Sequence, residues 1–351
     1  MALLPAAVRK FPTKIFRSNV SNINCQLRLQ NRPKGLLAPG DLQLIESPVP
    51  EIKDGQVLAC VKYLSSDPTM RVWMAADTYL PIVPIGEVMR AIGFAEIVES
   101  RHPDYKKGDR VTGFTGLQDY VIVDESAKPS FQKVPKIPFV SDSVFLGVLG
   151  INGITAFFGM EIAAPKKGDT LVVSAAAGAT GIIVGQIGKI HGCRVVGIAG
   201  SDDKCAWITK ELGFDAAINY KHPDWKEKLA AATPKGIDIH FENVGGDIMQ
   251  EVLNRMNLHG RVVLCGLISG YTKGDPGLAS FGTVLVKRLR VQGFIILDYA
   301  SRFMEAATQL GRKMFGKLKD RETIVERLEK APDAINMLFT GGNTGKLIVK
   351  L

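Results

Sequence analysis

Leu171-Val172-Val173-Ser174-Ala175-Ala176-Ala177-Gly178-Ala179-Thr180-Gly181 is the stretch that decides the fold. A hydrophobic run ends at Ser174 and passes into small residues, which let a backbone approach an anion closely. Gly178 and Gly181 allow a tight turn and close helix packing, and the helix that follows offers its first N–H groups to a phosphate. Ala176 stands where the usual fingerprint has its first glycine, so A-x-G-x-x-G is weaker as a bare string than G-x-G-x-x-G. Context repairs it: a strand precedes, a helix follows, and a second apolar run, 194–199, comes next. We read a dinucleotide pyrophosphate site here. Residues 171–188 carry no charge but are not read as a membrane span, because Gly178, Gly181, Gly185, Gly188, Ser174, Thr180 and Gln186 interrupt them.

The end of 194–199 bears on which dinucleotide binds. An NAD site wants an acid there for the ribose hydroxyl. Here Gly200-Ser201 follow, and Asp202 and Asp203 fall in the first turn of a helix with Ser201 as N-cap. Lys204 is then free to meet a ribose 2′-phosphate. The expected cofactor is NADP(H).

Outward from this centre, strands are expected at 171–174, 194–199, 217–219, 237–242, 261–265 and 290–296. Helices are expected between them at 181–191, 203–212, 223–232 and 248–257. Strands alternating with helices imply a doubly wound parallel sheet, so the fold class is α/β. Residues 42–130 read instead as short strands and turns, with runs at 56–63, 91–99, 110–114 and 119–124 punctuated by Asp54-Gly55 and Gly108-Asp109. A longer amphipathic helical region is expected at 301–339, and a last strand at 346–350.

Composition narrows the function. The 351 residues carry a formal charge of +9, but no Asp or Glu precedes Asp41, while Arg9, Lys10, Lys14, Arg17, Arg28, Arg32 and Lys34 do. Without these the balance is 37 basic to 35 acidic residues, and no aromatic-basic interleaving supports nucleic-acid binding. The five cysteines (25, 60, 193, 205, 265) are dispersed, and the five histidines have no metal-ligand spacing. Neither a disulfide framework nor a zinc cluster is expected, and a reducing compartment fits. The acid-free stretch MALLPAAVRKFPTKIFRSN is either a mitochondrial transit peptide or a variable extension interrupted by Pro5 and Pro12. Cytoplasm is the expected location, with the mitochondrion as alternative.

Further segments follow in order. They are Gly188-Lys189, Val195 to Lys204, Leu212-Gly213-Phe214-Asp215, Ile218-Asn219-Tyr220-Lys221 and Phe241-Glu242-Asn243-Val244-Gly245-Gly246. Asn31-Arg32-Pro33, Asp67-Pro68-Thr69-Met70-Arg71 and Gly86-Glu87-Val88-Met89 precede them, and Cys265 to Tyr271 and Gly342-Asn343-Thr344-Gly345-Lys346 come after. With the phosphate loop, this set closely resembles the zinc-independent medium-chain dehydrogenase/reductases of the prostaglandin reductase and alkenal/one oxidoreductase group. The likeness runs from about residue 28 to the end. It implies a GroES-like β-rich catalytic domain, 28–145 plus 326–351, and a Rossmann domain, 146–325, with 1–27 as an extension. It implies that Gly178, Ala179, Thr180 and Gly181 cradle the pyrophosphate, Lys204 meets the 2′-phosphate and Tyr220 lies near the adenosine. Asn243, Cys265, Gly266, Ile268, Ser269, Phe294, Ile295, Ile296 and Asn343 would surround the ribose and nicotinamide. A homodimer is implied as well. Gly86-Glu87 lacks the adjoining histidine of the zinc-dependent branch, so no catalytic metal is expected.

Without a metal, the substrate should already be electrophilic. A small α,β-unsaturated ketone or aldehyde fits, with hydride reaching its β-carbon and charge moving to the carbonyl oxygen. Tyr271 is the candidate donor to that oxygen, since a phenol is neutral at pH 7. The cofactor ribose hydroxyl or a water is the alternative source of the α-carbon proton. Many members of the group carry tyrosine where this chain has Thr69, so an aromatic wall is missing and Trp73 is its candidate replacement. Met70, Trp73, Tyr79 and Ile85 either line the substrate pocket or belong to the core. The alternatives in function are an NADPH quinone reductase on the same fold and a catalytically idle NADPH-binding scaffold.

Overall fold

A computed structural model describes residues 22–123, 131–274, 277, 281–314 and 318–351, without the side chains of 313 and 314. The leader-like residues 1–21 and Asp124 of an expected strand lie outside it. Strand β1 (Ile23–Leu29) pairs antiparallel with β2 (Leu42–Pro48), so sheet structure starts within the stretch read as an extension.

Strands β3 (Val57–Ser65), β4 (Ile92–Ser100), β5 (Arg110–Phe114), β6 (Tyr120–Val123) and β7 (Gln132–Lys133) form an antiparallel layer. The short helix α1 (Thr69–Trp73) follows β3 in the chain. β3 sends Val57, Ala59 and Val61 into the main core of this layer and Leu58 to the other side, against Tyr120. That is the two-residue period of a pleated strand.

Next come α2 (Ile151–Ala163), β8 (Thr170–Val173), α3 (Ala179–Ile190), β9 (Arg194–Ala199), α4 (Asp202–Lys210) and β10 (Ala216–Asn219). They are followed by α5 (Trp225–Ala232), β11 (Ile237–Glu242), α6 (Gly246–Arg255), β12 (Met256–Leu264), α7 (Phe281–Lys287) and β13 (Arg290–Gly293). The strands form one parallel six-stranded sheet in the order β10-β9-β8-β11-β12-β13. All four residues of β8 are buried. Leu171 and Val173 pack on the side of α2 and α3, and Val172 packs on the side of α5 and α6. Helices on both faces explain why this strand reads as an unbroken apolar run. The strand order reverses between β8 and β11, so their carboxyl ends frame the crevice where such sheets bind ligands.

The chain closes with α8 (Phe303–Met314), β14 (Glu322–Glu326), α9 (Ala331–Thr340) and β15 (Lys346–Lys350). β14 lies parallel to β15, which pairs antiparallel with β3, so the chain end returns to the first layer. The expected helical region 301–339 is therefore corrected. Thr323-Ile324-Val325 is a β-branched trio that the ladder to β15 holds extended. The expected strand 290–296 stops at Gly293, after which Phe294 and Ile295 leave the sheet. Among the described residues no helix is long and apolar enough to cross a membrane.

Candidate active site

Between the two sheets lies a cavity of about 630 Å³. At the carboxyl end of β8 the chain turns through Ala175, whose φ of +47° is left-handed, while Gly178 is extended at φ −88°. The strained residue of the turn is thus an alanine, not the glycine expected there. That costs roughly 1–2 kcal/mol. Gly181 is needed for close approach, because a Cβ there would lie 2.4 Å from the Ala175 carbonyl oxygen. Gly178 is the N-cap of α3 and brings no side chain to its first turn. The N–H groups there are left for an anion. Gly345 N donates to Ala177 O at 2.8 Å, which ties the loop before β15 to the phosphate loop. Asn343 braces that loop through Nδ2 to Gly345 O, 3.0 Å.

After β9, Ser201 caps α4 by accepting from Lys204 N at 3.4 Å. The Lys204 ammonium donates to Gly341 O at 2.9 Å and lines the cavity. Burial, and then nearby Lys221, hold its pKa below the ordinary lysine range. Tyr220 stands over Gly200, where a Cβ would meet its ring at 3.3 Å. Asp202 is tied away from Lys204: its carboxylate accepts from Asn219 Nδ2 at 3.0 Å and pairs with His222 Nε2 at 2.9 Å. The geometry leaves a cationic side chain just after β9 whose ammonium meets a backbone carbonyl, while the Asp202 carboxylate is engaged by Asn219 and His222.

The floor beneath the opposite end is a buried polar network. Glu242, at the end of β11, accepts from Ser174 Oγ at 2.6 Å, from Gly245 N at 3.0 Å and from Val244 N. His240 Nε2 sits 2.7 Å from its other oxygen. Burial alone would raise the Glu242 carboxyl, but His240, the Ser174 hydroxyl and the Val244 N–H outweigh it and hold it below the usual range. Asn243 reaches back to Ser174 O at 2.7 Å, and Ser269 Oγ donates to Val244 O at 2.6 Å. Gly245 and Gly246 turn the chain at φ +82° and +57°. The turn after β11 is thereby clamped to the turn after β12.

Tyr271 closes that second turn. Its oxygen accepts from Leu267 N at 3.3 Å, so its own proton is not spent on that bond. Burial raises its pKa above the ordinary phenol value. Cys265 is half-buried in the cavity wall, and desolvation there, with Glu242 nearby, pushes its thiol up to about 12.

All sixteen positions expected to bind cofactor or act as donor line this one cavity: Gly178 to Gly181, Lys204, Tyr220, Asn243, Cys265, Gly266, Ile268, Ser269, Tyr271, Phe294 to Ile296 and Asn343. Of the substrate candidates, Thr69, Trp73 and Tyr79 line it too. The Thr69 and Tyr79 hydroxyls are 2.6 Å apart, and the Trp73 and Tyr79 rings meet edge-on at 6.4 Å. Met70 does not belong to it; at 1 % exposure it is core. Thr69 and Trp73 are four apart on α1 and share a face, which turns Met70 away from the cavity. Ile85 is half exposed and outside the lining.

Lining residues that were not expected at the site include Asp67, Asn152 and Thr155. Asp67 pairs with buried Lys346 at 2.7 Å, a contact between the segment that follows β3 and the start of its neighbour β15. A lysine opening the apolar run Leu347-Ile348-Val349 was its signal. Asn152 and Thr155 ride on α2, whose sequence INGITAFFGMEIA lacks a polar face to mark it as a helix. Among the described residues, no group of three or more His, Cys, Asp or Glu side chains is arranged to hold a metal ion.

Two family models match the chain, one described as the N-terminal domain of oxidoreductase, over residues 25–131, and one described as zinc-binding dehydrogenase, over 179–312. An NADPH-dependent curcumin reductase of Escherichia coli is 44% identical over 333 residues, 92% of this chain and 95% of that protein. A 2-alkenal reductase (NADP(+)-dependent) of Nicotiana tabacum is 37% identical, covering 93% of this chain and 97% of its own length. The crystal structure of CurA in complex with NADPH from Vibrio vulnificus superposes with a TM-score of 0.87 at 40% identity, over 93% of this chain and 98% of that one.

Proposed function

The chain belongs to the zinc-independent medium-chain dehydrogenase/reductases and is an NADP-dependent oxidoreductase, and we propose that it reduces the activated carbon–carbon double bond of α,β-unsaturated ketones and aldehydes. The observation that carries this reading is the state of Tyr271: a half-buried, neutral phenol in the cavity wall whose oxygen is held by Leu267 N–H while its proton remains to be donated. The names of a curcumin reductase and a 2-alkenal reductase among the relatives support it.

When bound, the dihydronicotinamide supplies hydride to the substrate's β-carbon. The first turn of α3 takes the pyrophosphate, and Lys204 takes the 2′-phosphate. The clamped turns after β11 and β12 give the ring a rigid floor. Tyr271 donates a hydrogen bond to the carbonyl oxygen as negative charge grows there, which stabilises the enolate. Cys265, in the same wall, stays a thiol at neutral pH, because its pKa is pushed up to about 12. A thiol is a poor nucleophile, so the wall does not add to the electrophile it faces.

The test follows NADPH consumption with an enal, an enone and a quinone, with NADH as control. The enal and enone should turn over, and Tyr271→Phe should slow them at least tenfold, about 1.4 kcal/mol of barrier. Turnover of the quinone alone, or an unchanged rate in Tyr271→Phe, contradicts the proposal.

We also read the chain as a homodimer. β13 ends the six-stranded sheet, and α7 just before it exposes Phe281, Leu285 and Val286 by 69%, 76% and 67%. An open strand edge beside apolar side chains is a surface that a second copy covers. Light scattering should give twice the 38.1 kDa chain mass, and a monomer contradicts it.

A further inference from the structure

Asn152 carries a hydrogen-bonding group that none of the described residues uses. It is the second residue of α2 and lines the cavity between Asp67 and Thr180. Its Nδ2 lies 3.4 Å from Asp67 Oδ1 and 3.5 Å from Thr180 Oγ1, both long for hydrogen bonds. The carboxylate decides which way the amide points, because an amide oxygen turned toward Asp67 would set acceptor against acceptor. Oδ1 therefore faces away from Asp67, and there it is buried without a partner among the described residues. A buried acceptor left unpaired is costly and calls for a ligand or a functional role.

Resting on the NADP(H) reading above, we propose that Asn152 positions the nicotinamide by pairing with its carboxamide, whose N–H₂ donates to Asn152 Oδ1. Thr180 stands in the first turn of α3, where the pyrophosphate is expected, and Tyr271 stands at the reacting end of the same cavity. The part of the cofactor that spans the two is the nicotinamide riboside. Of its groups, the primary amide matches best: it presents a donor and an acceptor in one plane, opposite an acceptor and a loosely engaged donor. A ribose hydroxyl has one proton to give and no such plane. The two long contacts of Nδ2 let the amide tilt Oδ1 toward the cavity while Nδ2 stays on the side of Asp67. The backbone beneath it is fixed, since Gly153 N donates to Gly147 O and Ile154 N to Gly150 O, each at 3.0 Å. A side chain that pivots on a rigid helix start suits a positioning role.

The test is equilibrium binding, by calorimetry, of NADPH and of its 3-acetylpyridine analogue, in which a methyl ketone replaces the carboxamide and the N–H donor is lost. The wild type should bind NADPH about tenfold more tightly than the analogue, the size of one net hydrogen bond. In Asn152→Leu the two should bind alike, with NADPH weakened about tenfold and the analogue little changed. Removing an unpaired buried acceptor should leave the ligand-free melting temperature equal or higher, and Asn152→Ala should repeat the binding pattern. Equal weakening of both cofactors, or a gap that persists in both variants, overturns the proposal. Failure of the wild type to bind NADPH at all overturns the cofactor reading, and this proposal with it.

Discussion

From Ala175 to Gly181 the cavity wall is one continuous piece of chain, while the wall from Asp67 to Tyr271 is assembled from segments far apart in sequence. The first wall works through backbone: an uncapped helix start, a left-handed alanine and a glycine that admits no side chain. The second works through side chains: the Thr69–Tyr79 hydroxyl pair, the Asn152 amide and the Tyr271 phenol. The difference teaches where tolerance lies. A backbone-built wall fails as a unit when one atom is added, and a side-chain-built wall changes its selectivity by single substitutions.

The largest effect should come from the floor that both walls stand on. His240→Phe leaves the Glu242 carboxylate buried beside an apolar ring and should cost about 3–5 kcal/mol of stability, read from urea unfolding. The Glu242 carboxyl titrates below its ordinary value in the folded chain. Its stabilising contribution is therefore present at neutral pH and is lost as pH falls through that depressed value. The gap between wild type and variant should narrow in acid, and a constant gap would break the comparison.

Next, Gly181→Ala puts a Cβ 2.4 Å from Ala175 O. NADPH affinity should fall roughly a hundredfold, about 2.7 kcal/mol. An unchanged dissociation constant would mean the loop yields, and the wall is not a unit. Lys204→Ala is narrower. It should weaken NADPH by about tenfold or more, the size of a charge-assisted hydrogen bond, and leave NADH nearly unchanged. Because burial lowers the Lys204 pKa, the wild-type preference for NADPH should begin to fade at a less alkaline pH than an exposed lysine would allow. Equal losses with both cofactors would remove the phosphate role.

The same contrast explains what could be read from the residues alone. β8, the turn and α3 are contiguous and obey local rules, so strand, loop and helix were legible, as were Ser201 as a cap and Lys204 as a cation. The parallel sheet followed from apolar runs of strand length. α2 escaped notice because it is packed nearly all round and shows no helical contrast in polarity. β14 was absorbed into a helical stretch because only its pairing with β15, across the α9 connection, makes it a strand. In the second wall, nothing local separates Met70 from Thr69 and Trp73; the packing of α1 does. The Tyr79 partnership with Thr69 needs the loop between them closed, and the loose end of Asn152 exists only beside Asp67, 85 residues away.

The most direct test uses NADPH deuterated at the transferring C4 position of the nicotinamide and an α,β-unsaturated ketone, with the product examined by NMR. Deuterium at the carbon β to an intact carbonyl, in a saturated ketone, is the predicted result. Deuterium on the carbonyl carbon of an allylic alcohol, or cofactor left unconsumed, would contradict the proposed reaction.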